Sequence, residues 1–559
     1  MPEFDYVTDA VVVGSGGGLC GAVTAAAAGL ETLVLEKEAR LGGSTAISGG
    51  VLWLPDNPLM QDEGVLDSFD EAMAYFDTVV GDAGPASSPE RRAAYVFEGR
   101  NMVRFLQSEG MTFVRCEGYS DYYAGVRDIE GGVARGRSIE ATIFDGRELG
   151  PWLAKLPTGL TPVVVLTGEV AQLGLVRRSW DGVRTAGRVA VRTAGGRLKR
   201  QTLLSNGAAL IGQTLRAVLR HEVGIWTDTA IVDLLVDDGR VVGVAADRHG
   251  RTVRIGARRG VLLSSGGFAR NKAMRERYSK QPNAAEWTVA NAGDTGEVIE
   301  MAIAHGAAVD LMDEAWWIPA SLKPDGLAMH IGERSKPGSI IVDRDGQRYF
   351  NEAVSYMEAG RQMYQRNQEG RAIPSWLIID HRHRKRYLFA FQPPGITPKE
   401  WIESGYMKKA GTLDELARAC GIDPEGLTAT VERFNASARE GVDPEFHRGE
   451  GAHEQYQGDP THKPNASVGP LDQPPYYAVA IYPGDVGTSG GLLCDEYSRV
   501  LDIDHNPIRG LYATGNCTAS VMGRTYPGAG ASIGASFVFA YIAMKHAAHT
   551  AGFTDVSAA

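Results

Sequence analysis

The chain has 559 residues, of which 43% are hydrophobic and 22% are charged, and its net charge is −11. A chain of this length exceeds one simple core, so we expect two or three domains of an ordinary globular protein. The negative net charge does not favour a nucleic-acid partner. Because the cysteines form no CxxC pair and neither they nor the histidines show a metal-ligand spacing, we predict a reduced cytoplasmic enzyme without a metal.

The amino-terminal segment MPEFDYVTDAVVVG is acidic and leads into a strand. It lacks the basic and apolar regions of a signal peptide, so we expect none. No apolar run of the chain reaches the ~18 residues that indicate a membrane span.

Residues 9–38, DAVVVGSGGGLCGAVTAAAAGLETLVLEKE, predict a βαβ unit. Its parts are a strand over 10–13, a glycine turn, a helix to about Ala28 and a strand over 33–35. In such a unit the pyrophosphate of a dinucleotide lies on the helix N-terminus. Glu36 follows the glycines by about 20 residues and is placed to accept ribose hydroxyls, which argues against a 2′-phosphate. Leu19 stands where a strict GxGxxG motif has its third glycine.

Further glycine loops favour FAD over NAD, because a flavin extends past the pyrophosphate and needs a second cradle. GGSTAISGG (42–50) follows the acidic residue closely, RRGVLLSSGGF (258–268) enters paired glycines, and GLYATGN (510–516) is typical of a loop that closes a flavin site. No histidine or cysteine stands beside a glycine loop in an arrangement that suggests covalent attachment, although Cys517 follows Asn516. The residues expected to hold FAD non-covalently are Gly14, Ser15, Gly16, Gly17, Gly18, Glu36, Lys37, Gly42, Gly43, Ser44, Thr45, Ser48, Gly49, Gly50, Gly207, Gly266, Gly267, Thr295, Gly296, Gly515, Asn516, Ser532 and Ile533.

These loops occur near both ends of the chain, which predicts an α/β fold whose Rossmann-type FAD-binding domain is split by an inserted α+β catalytic domain. The predicted boundaries are 1–296 and 487–559 for the FAD-binding domain and 297–486 for the insert. Within them, 234–265 reads as a β-meander with Asp-Gly and His-Gly turns. Residues 413–438 read as two helices joined at Gly421–Pro424. We expect the ligand cleft between the two domains.

Several segments resemble one enzyme family along nearly the whole chain: GGSTAISGGVLWLP, GYSDYY, EWTVAN, DLMDEAWW, GSIIVDRDGQRYFNE, PGDVGTSGG, GLYATGN and GRTYPGAG. The chain resembles the 3-ketosteroid Δ1-dehydrogenases, within the flavoprotein family that also contains soluble fumarate reductases. The tyrosine-bearing segments SDYY and TYPGAG are similar to the steroid branch of that family.

The resemblance implies removal of the C1 and C2 hydrogens of a 3-ketosteroid during steroid degradation. It assigns the hydroxyl of Tyr526 and the backbone N–H of Gly530 to the C3 oxygen, as two donors of an oxyanion hole. It makes Tyr356 the base that takes the C2 proton and Tyr122 its hydrogen-bonded support, while the C1 hydride goes to flavin N5. The electron acceptor, a quinone or another flavoprotein, and the steroid side chain at C17 stay open.

Three other interpretations stay open. A Δ4-(5α)-3-ketosteroid dehydrogenase would share the fold and the keto-binding loop and place its base elsewhere. A fumarate- or urocanate-type reductase would need arginines and histidines to bind carboxylates, and the loop over 523–534 offers only Arg524. A flavin-binding scaffold without turnover is the third interpretation.

Residues 177–200 hold eight basic side chains and one acid, Asp181. Apolar residues 173, 176, 180 and 183 recur at helical spacing, which predicts an interfacial helix on anionic lipid. The preceding apolar run, 159–168, belongs to the same membrane-contacting insert over about 155–202. The alternatives are a solvated helical hairpin or an oligomer contact. A second basic run, DHRHRKR (380–386), is predicted to be a solvated turn.

Overall fold

A computed structural model describes residues 3–157 and 163–550 of the chain. Its strands are numbered in chain order within these ranges. They are β1 (Tyr6–Val13), β2 (Thr32–Leu35), β3 (Val51–Trp53), β4 (Phe113–Arg115), β5 (Ser138–Ala141), β6 (Phe144–Asp145), β7 (Leu203–Leu204), β8 (Gly224–Trp226), β9 (Thr229–Asp237), β10 (Arg240–Arg248), β11 (Arg251–Leu263), β12 (Val309–Asp310), β13 (Ala315–Lys323), β14 (Gly326–Met329), β15 (Ser339–Val342), β16 (Ser375–Ile379), β17 (Met407–Ala410), β18 (Tyr476–Thr488), β19 (Gly491–Leu492), β20 (Arg499–Leu501) and β21 (Pro507–Ala513).

The α-helices are numbered in the same way. They are α1 (Gly18–Ala27), α2 (Gly43–Ala46), α3 (Pro58–Asp62), α4 (Phe69–Val79), α5 (Pro89–Ser108), α6 (Thr167–Leu173), α7 (Trp180–Leu198), α8 (Asn206–Arg220), α9 (Lys272–Tyr278), α10 (Glu297–Ala304), α11 (Tyr356–Arg366), α12 (His381–Arg386), α13 (Lys399–Glu403), α14 (Leu413–Cys420), α15 (Pro424–Ala438), α16 (Ala452–Gln457) and α17 (Ala531–His549).

The larger sheet has eight strands and joins the two ends of the chain. Its order is β20-β21-β10-β11-β1-β2-β8, with β9 paired to β10. Four pairs of adjacent strands are parallel: β8 with β2, β2 with β1, β1 with β11, and β11 with β21. The predicted antiparallel meander is formed by β9, β10 and β11. The predicted α/β fold is confirmed, and β1, α1 and β2 form the predicted βαβ unit.

Close packing beneath α1 explains how the chain tolerates Leu19 in place of a third glycine. A Cβ added at Gly18 would lie 2.9 Å from Val12 Cγ1, and one added at Gly21 would lie 2.5 Å from Leu262 Cδ2. These two glycines bring the helix onto β1 and β11, while Leu19 is fully buried in the core. The glycine that permits contact between helix and strand is thus Gly18, one residue before the third glycine of a strict GxGxxG motif.

The second large sheet is antiparallel and is built from residues 315–488. Its order is β14-β13-β18-β16-β15, with β17 paired to β18. Helices α14 and α15 form the predicted helix pair, and their apolar residues pack with β15 and β16 in one buried cluster. The domain boundaries at 296 and 486 stay predictions.

Two sequence-based predictions about basic segments need correction. The spacing over 173–183 does not form one helix, because α6 ends at Leu173 and α7 begins only at Trp180, with Ser179 as its N-cap. Residues 380–386 are not a solvated turn. Asp380 caps α12 there, and both His383 and Arg384 are buried. Across the described residues, none of the helices combines the length and apolarity needed to cross a membrane.

Candidate active site

A cavity of about 530 Å³ extends along the carboxyl ends of the parallel strands. The glycine loops over 14–17, 42–50 and 515–516 line one end of it. Most of the residues predicted to hold the cofactor line this cavity. They are Gly14, Ser15, Gly16, Gly17, Glu36, Lys37, Gly42, Gly43, Ser44, Thr45, Ser48, Gly49, Gly50, Gly266, Gly515, Asn516, Ser532 and Ile533.

Five predicted residues, Gly18, Gly207, Gly267, Thr295 and Gly296, are not among the cavity-lining residues and lie behind the loops. A Cβ at Gly207 would lie 2.0 Å from the carbonyl oxygen of Thr45. The hydroxyl of Thr295 accepts a hydrogen bond of 2.8 Å from Lys37. These residues support the loops that face the cavity rather than forming its surface.

Glu36 lies at the end of β2, where its carboxylate organises the first glycine turn. Its Oε2 accepts hydrogen bonds from the N–H and hydroxyl of Ser15, and its Oε1 accepts one of 3.0 Å from the N–H of Glu38. The Ser15 hydroxyl in turn accepts the Gly42 N–H at 2.7 Å. Burial raises the pKa of Glu36, and these hydrogen bonds oppose that rise. One carboxylate therefore links the first and second glycine loops.

Sequence reasoning missed Asp294, which lies in the cavity wall opposite the second glycine loop. Its Oδ2 accepts a hydrogen bond of 3.0 Å from Ser44, whose Oγ also accepts the Asn291 N–H at 2.8 Å. Burial raises the pKa of Asp294 to about 7. The glycine-rich sequence NAGDTG (291–296) around it was a usable signal.

Asn516 and Cys517 differ in their access to the cavity. The side-chain oxygen of Asn516 accepts a hydrogen bond of 2.9 Å from Trp316 Nε1, and Asn516 lines the cavity. Cys517 is fully buried, lies 3.1 Å from the Thr514 carbonyl oxygen and is absent from the cavity wall. The absence of a covalent flavin link stays a prediction.

Next to the cofactor loops, three tyrosines predicted from distant segments meet in one aromatic cluster. The ring centroids of Tyr356 and Tyr526 are 5.0 Å apart, those of Tyr122 and Tyr356 are 5.6 Å apart, and those of Tyr122 and Tyr526 are 5.8 Å apart. All three are buried and line the cavity. Trp316 packs edge-on against Tyr526 at 5.1 Å, so the cluster forms a continuous wall.

Gly530 joins this cluster as the N-cap of α17. Its φ is +92°, and an added Cβ would lie 2.3 Å from the carbonyl oxygen of Val51. Both constraints require glycine here. The N–H of Gly530 belongs to the free donors at the positive end of a 19-residue helix. It lines the same cavity as Tyr526, whose hydroxyl lies 3.2 Å from Ser532 Oγ.

Burial governs the acidity of the tyrosines. It raises the pKa of Tyr356 far above its ordinary value, as does the neighbouring Tyr526, whereas the nearby hydroxyl of Tyr122 lowers it. Burial also raises the pKa of Tyr122, whose hydroxyl lies 3.5 Å from that of Tyr119. The cluster is thus a group of coupled phenols with little solvent to stabilise a charge.

The other end of the cavity is more apolar and lies near the surface. Val170 and Gly174, at the α6 end of the basic segment, line it together with Leu388 and Phe391. Val170 is 46% exposed and Phe391 is 67% exposed. We refer to this exposed apolar part of the cavity wall as the apolar opening.

Comparison with known proteins agrees with these features. A family model described as FAD binding domain matches residues 9–533. A 3-oxosteroid 1-dehydrogenase of Mycolicibacterium smegmatis is 42% identical over 97% of this chain and 97% of its own length. The chain belongs to the 3-oxosteroid 1-dehydrogenase family. FAD is its cofactor, and the glycine loops, the positive end of α1 and the Glu36 carboxylate match the pyrophosphate and ribose of that group.

Two solved structures are similar over the full chain. The 3-ketosteroid Δ1-dehydrogenase of Sterolibacterium denitrificans, in complex with 1,4-androstadiene-3,17-dione, has a TM-score of 0.90 and 36% identity, covering 97% of this chain and 99% of its own. The 3-ketosteroid-Δ4-(5α)-dehydrogenase of Rhodococcus jostii, in complex with 4-androstene-3,17-dione, has a TM-score of 0.70 and 25% identity, covering 98% of each chain. The predicted resemblance is confirmed.

Proposed function

We propose that this protein is an FAD-dependent 3-ketosteroid dehydrogenase that introduces the C1–C2 double bond. The observation that carries the proposal is the meeting of Tyr122, Tyr356, Tyr526 and Gly530 in one buried wall beside the cofactor loops. Membership of the 3-oxosteroid 1-dehydrogenase family supports it. The apolar end of the cavity suits a substrate as large and hydrophobic as a steroid.

In the proposed reaction the C3 ketone oxygen accepts hydrogen bonds from the Tyr526 hydroxyl and the Gly530 N–H. These donors stabilise the negative charge that develops on the oxygen when the C2 proton leaves. Tyr526 is fixed by Trp316 and Gly530 by its cap position, so neither must reorganise during the reaction. The pair would therefore act mainly on kcat.

Tyr356 takes the C2 proton as a phenolate, and Tyr122 supports it through a hydrogen bond. Because burial raises the pKa of Tyr356, the active phenolate form becomes more abundant as the pH increases. We expect kcat/KM to rise into the alkaline range. FAD would supply the acceptor for the C1 hydride when it is bound, and the glycine loops, which line the same cavity as the tyrosines, would hold it.

The first test is anaerobic mixing of the purified protein with androst-4-ene-3,17-dione while the flavin absorbance is followed. Bleaching with a 1,4-diene product, identified by mass and NMR, supports Δ1-dehydrogenation. Bleaching only with a 5α-reduced 3-ketosteroid, to give the 4-ene, would transfer the assignment to the Δ4 reaction. Bleaching with neither would reject the substrate class. Reoxidation of the reduced protein by a quinone or by another flavoprotein would then identify its electron acceptor.

We also propose that the basic helix α7 contacts the cytoplasmic face of an anionic membrane. Trp180 is 79% exposed and Leu198 is 86% exposed on this helix. Arg188 and Arg192 pair with Glu169, whereas Arg197 has no ion pair within the described residues. The apolar cavity opening lies beside α6, so a steroid dissolved in lipid would have a short path to the site.

Sedimentation with anionic liposomes at low salt tests the membrane proposal. Trp180→Ala should reduce the bound fraction, and an equally exposed residue elsewhere, Ile503 at 77%, provides the control Ile503→Ala. Binding that is absent in the wild type, or equal in both variants, would contradict it.

A further inference from the structure

Arg334 is a buried cation behind the tyrosine wall, and the proposed reaction does not use it. Arg334 is 1% exposed, and no carboxylate oxygen lies within 4 Å of its guanidinium in the described residues. A buried charge is normally paired, because removal from water is costly. Arg334 instead donates only to backbone carbonyl oxygens, and its positive charge is left available to its surroundings.

Those carbonyl oxygens belong to the backbone that leads into Tyr356. Nη2 of Arg334 donates to the Val354 oxygen at 2.7 Å, Nη1 donates to the Glu352 oxygen, and Nε donates to the His330 oxygen at 3.0 Å. Val354 lies two residues before Tyr356, which is the first residue of α11. The planar guanidinium thus fixes the segment that aims the proposed base.

The charge of Arg334 also acts on the tyrosine cluster. Burial lowers the pKa of Arg334 to about 10, and Tyr122 opposes that fall more than either nearby carboxylate does. His453, whose ring centroid is 4.2 Å from that of Tyr122, lies in the same cluster. Burial and then the charge of Arg334 lower the pKa of His453 to about 3, so this imidazole is neutral in the catalytic pH range.

The rings in contact with Tyr122 and Tyr356 among the described residues are those of Tyr119, His453 and Tyr526, and none of them carries a positive charge. Lys336, a second buried cation, lines the cavity and donates to the Gly458 carbonyl oxygen at 2.7 Å. The acids that face Arg334 have partners of their own. Glu352 pairs with Arg348 at 2.7 Å and Arg448 at 3.1 Å, and Glu333 lies 3.5 Å from His330.

We infer that Arg334 is a positioning residue for the proposed base: it fixes the backbone that carries Tyr356 and supplies the positive charge that favours the phenolate of the Tyr122–Tyr356 pair. This inference rests on the proposed function. The C2 proton moves to the Tyr356 oxygen, and the electron pair of the broken C–H bond stays on the enolate. Tyr356 must therefore be a phenolate before this step. A fixed cation in a poorly solvated site stabilises it strongly.

The test compares Arg334→Gln, which removes the charge, with Arg334→Lys, which keeps a charge and loses the planar fork. We measure kcat/KM for androst-4-ene-3,17-dione from pH 6 to pH 10. Arg334→Gln should lose about 10- to 100-fold at pH 7, since each tenfold corresponds to one pH unit in the pKa of the phenol. Below that pKa the loss is the same at every pH, and it shrinks only where the wild-type profile levels off. Arg334→Lys should lose less than Arg334→Gln at pH 7, because it keeps the charge.

Arg348→Lys is the matched control, because Arg348 is an equally buried arginine that touches Glu352 through its carboxylate. It should leave the shape of the pH profile unchanged. If Arg334→Gln does not retain flavin, Arg334→His replaces it. Its imidazole would be as buried as that of His453 and therefore neutral over the measured range, so its loss should match the one expected of Arg334→Gln.

Equal losses at pH 7 in Arg334→Lys and in the uncharged variant, Arg334→Gln or Arg334→His, would reject the role of the charge. An unchanged kcat/KM in both Arg334→Gln and Arg334→Lys would reject the positioning role as well. Failure of the wild type to oxidise the steroid would instead reject the proposed function, so the two failures are distinguishable.

Discussion

The cofactor loops and the tyrosine wall share one cavity and are built in opposite ways. The loops present mostly backbone, through glycines such as Gly14 and Gly50 whose positive φ and close contacts admit no side chain. The wall presents side chains, Tyr122, Tyr356 and Tyr526, from segments more than 150 residues apart. Backbone recognition depends on short local motifs, whereas the wall depends on how remote segments pack.

The largest expected effect removes the proposed base from the wall. Tyr356→Phe should lower kcat by about 10²- to 10⁴-fold, the range for loss of a general base, with FAD content unchanged. Stopped-flow bleaching of the flavin by androst-4-ene-3,17-dione measures it. Tyr364→Phe, two turns further along α11 and bonded to the Pro282 carbonyl oxygen, is the control. A similar loss in both variants would assign the effect to the helix rather than to the phenol.

The next effect removes one donor to the ketone oxygen. Tyr526→Phe should lower kcat by about 10²- to 10³-fold, because the Gly530 N–H would remain as the second donor. The alkaline rise in kcat/KM should persist, since the proposed base is intact. The matched control is Tyr512→Phe, a tyrosine of β21 that bonds to His546. Disappearance of the pH dependence in Tyr526→Phe would contradict the division of roles.

A glycine substitution in the cofactor loops tests whether recognition there depends on bare backbone. Gly14 has a φ of +96°, and an added Cβ would lie 2.2 Å from the Ser264 carbonyl oxygen. Gly14→Ala should lower the free energy of unfolding by about 2–4 kcal/mol and reduce the FAD content of the purified protein. Gly187→Ala in α7, where nothing lies within 4 Å of the new atom, should be neutral. A wild-type unfolding temperature together with a full flavin content in Gly14→Ala would show that the turn adapts to the added side chain.

The smallest effect concerns the one side chain that organises the loops. Glu36→Gln removes a charged acceptor of the Ser15 and Glu38 N–H groups, and it should weaken FAD binding by about tenfold. Equilibrium release of flavin, followed by fluorescence, measures this. The kcat of the flavin-loaded fraction should match the wild type. A fall in that kcat would mean that Glu36 also orients the reactive ring.

Much of the fold could be predicted because its signals are local. The βαβ unit, the meander over 234–265 and the helix pair at 413–438 follow from glycine turns and from periodicity, and each is present at nearly its predicted bounds. Gly207 and Gly296 were also recognised as special, but their role beneath the loops was not. A glycine that contacts a ligand and one that contacts another loop have the same local sequence signature.

Other features were beyond local reasoning. The arginines and histidines over 380–386 looked solvated, yet His383 and Arg384 are buried. His383 contacts the Glu333 carbonyl oxygen, and Arg384 donates to Thr397 and to the Pro393 carbonyl oxygen, so connecting segments cover both side chains. The α6–α7 break could not be read from apolar spacing, since Ser179 caps a new helix there. Arg334 and His453 gave no motif at all, and only their contacts with the backbone before Tyr356 and with Tyr122 reveal them.

The sequence by itself determined the cofactor cradle and, through resemblance, the identity of the tyrosines, because glycine turns and short motifs act over a few residues. Only the tertiary structure decided that Tyr122, Tyr356 and Tyr526 meet within 6 Å of one another. It also decided that Arg334 stays buried behind them without a carboxylate. Proximity and desolvation arise from the packing of the whole chain, and these two quantities set the acidity on which the proposed reaction depends.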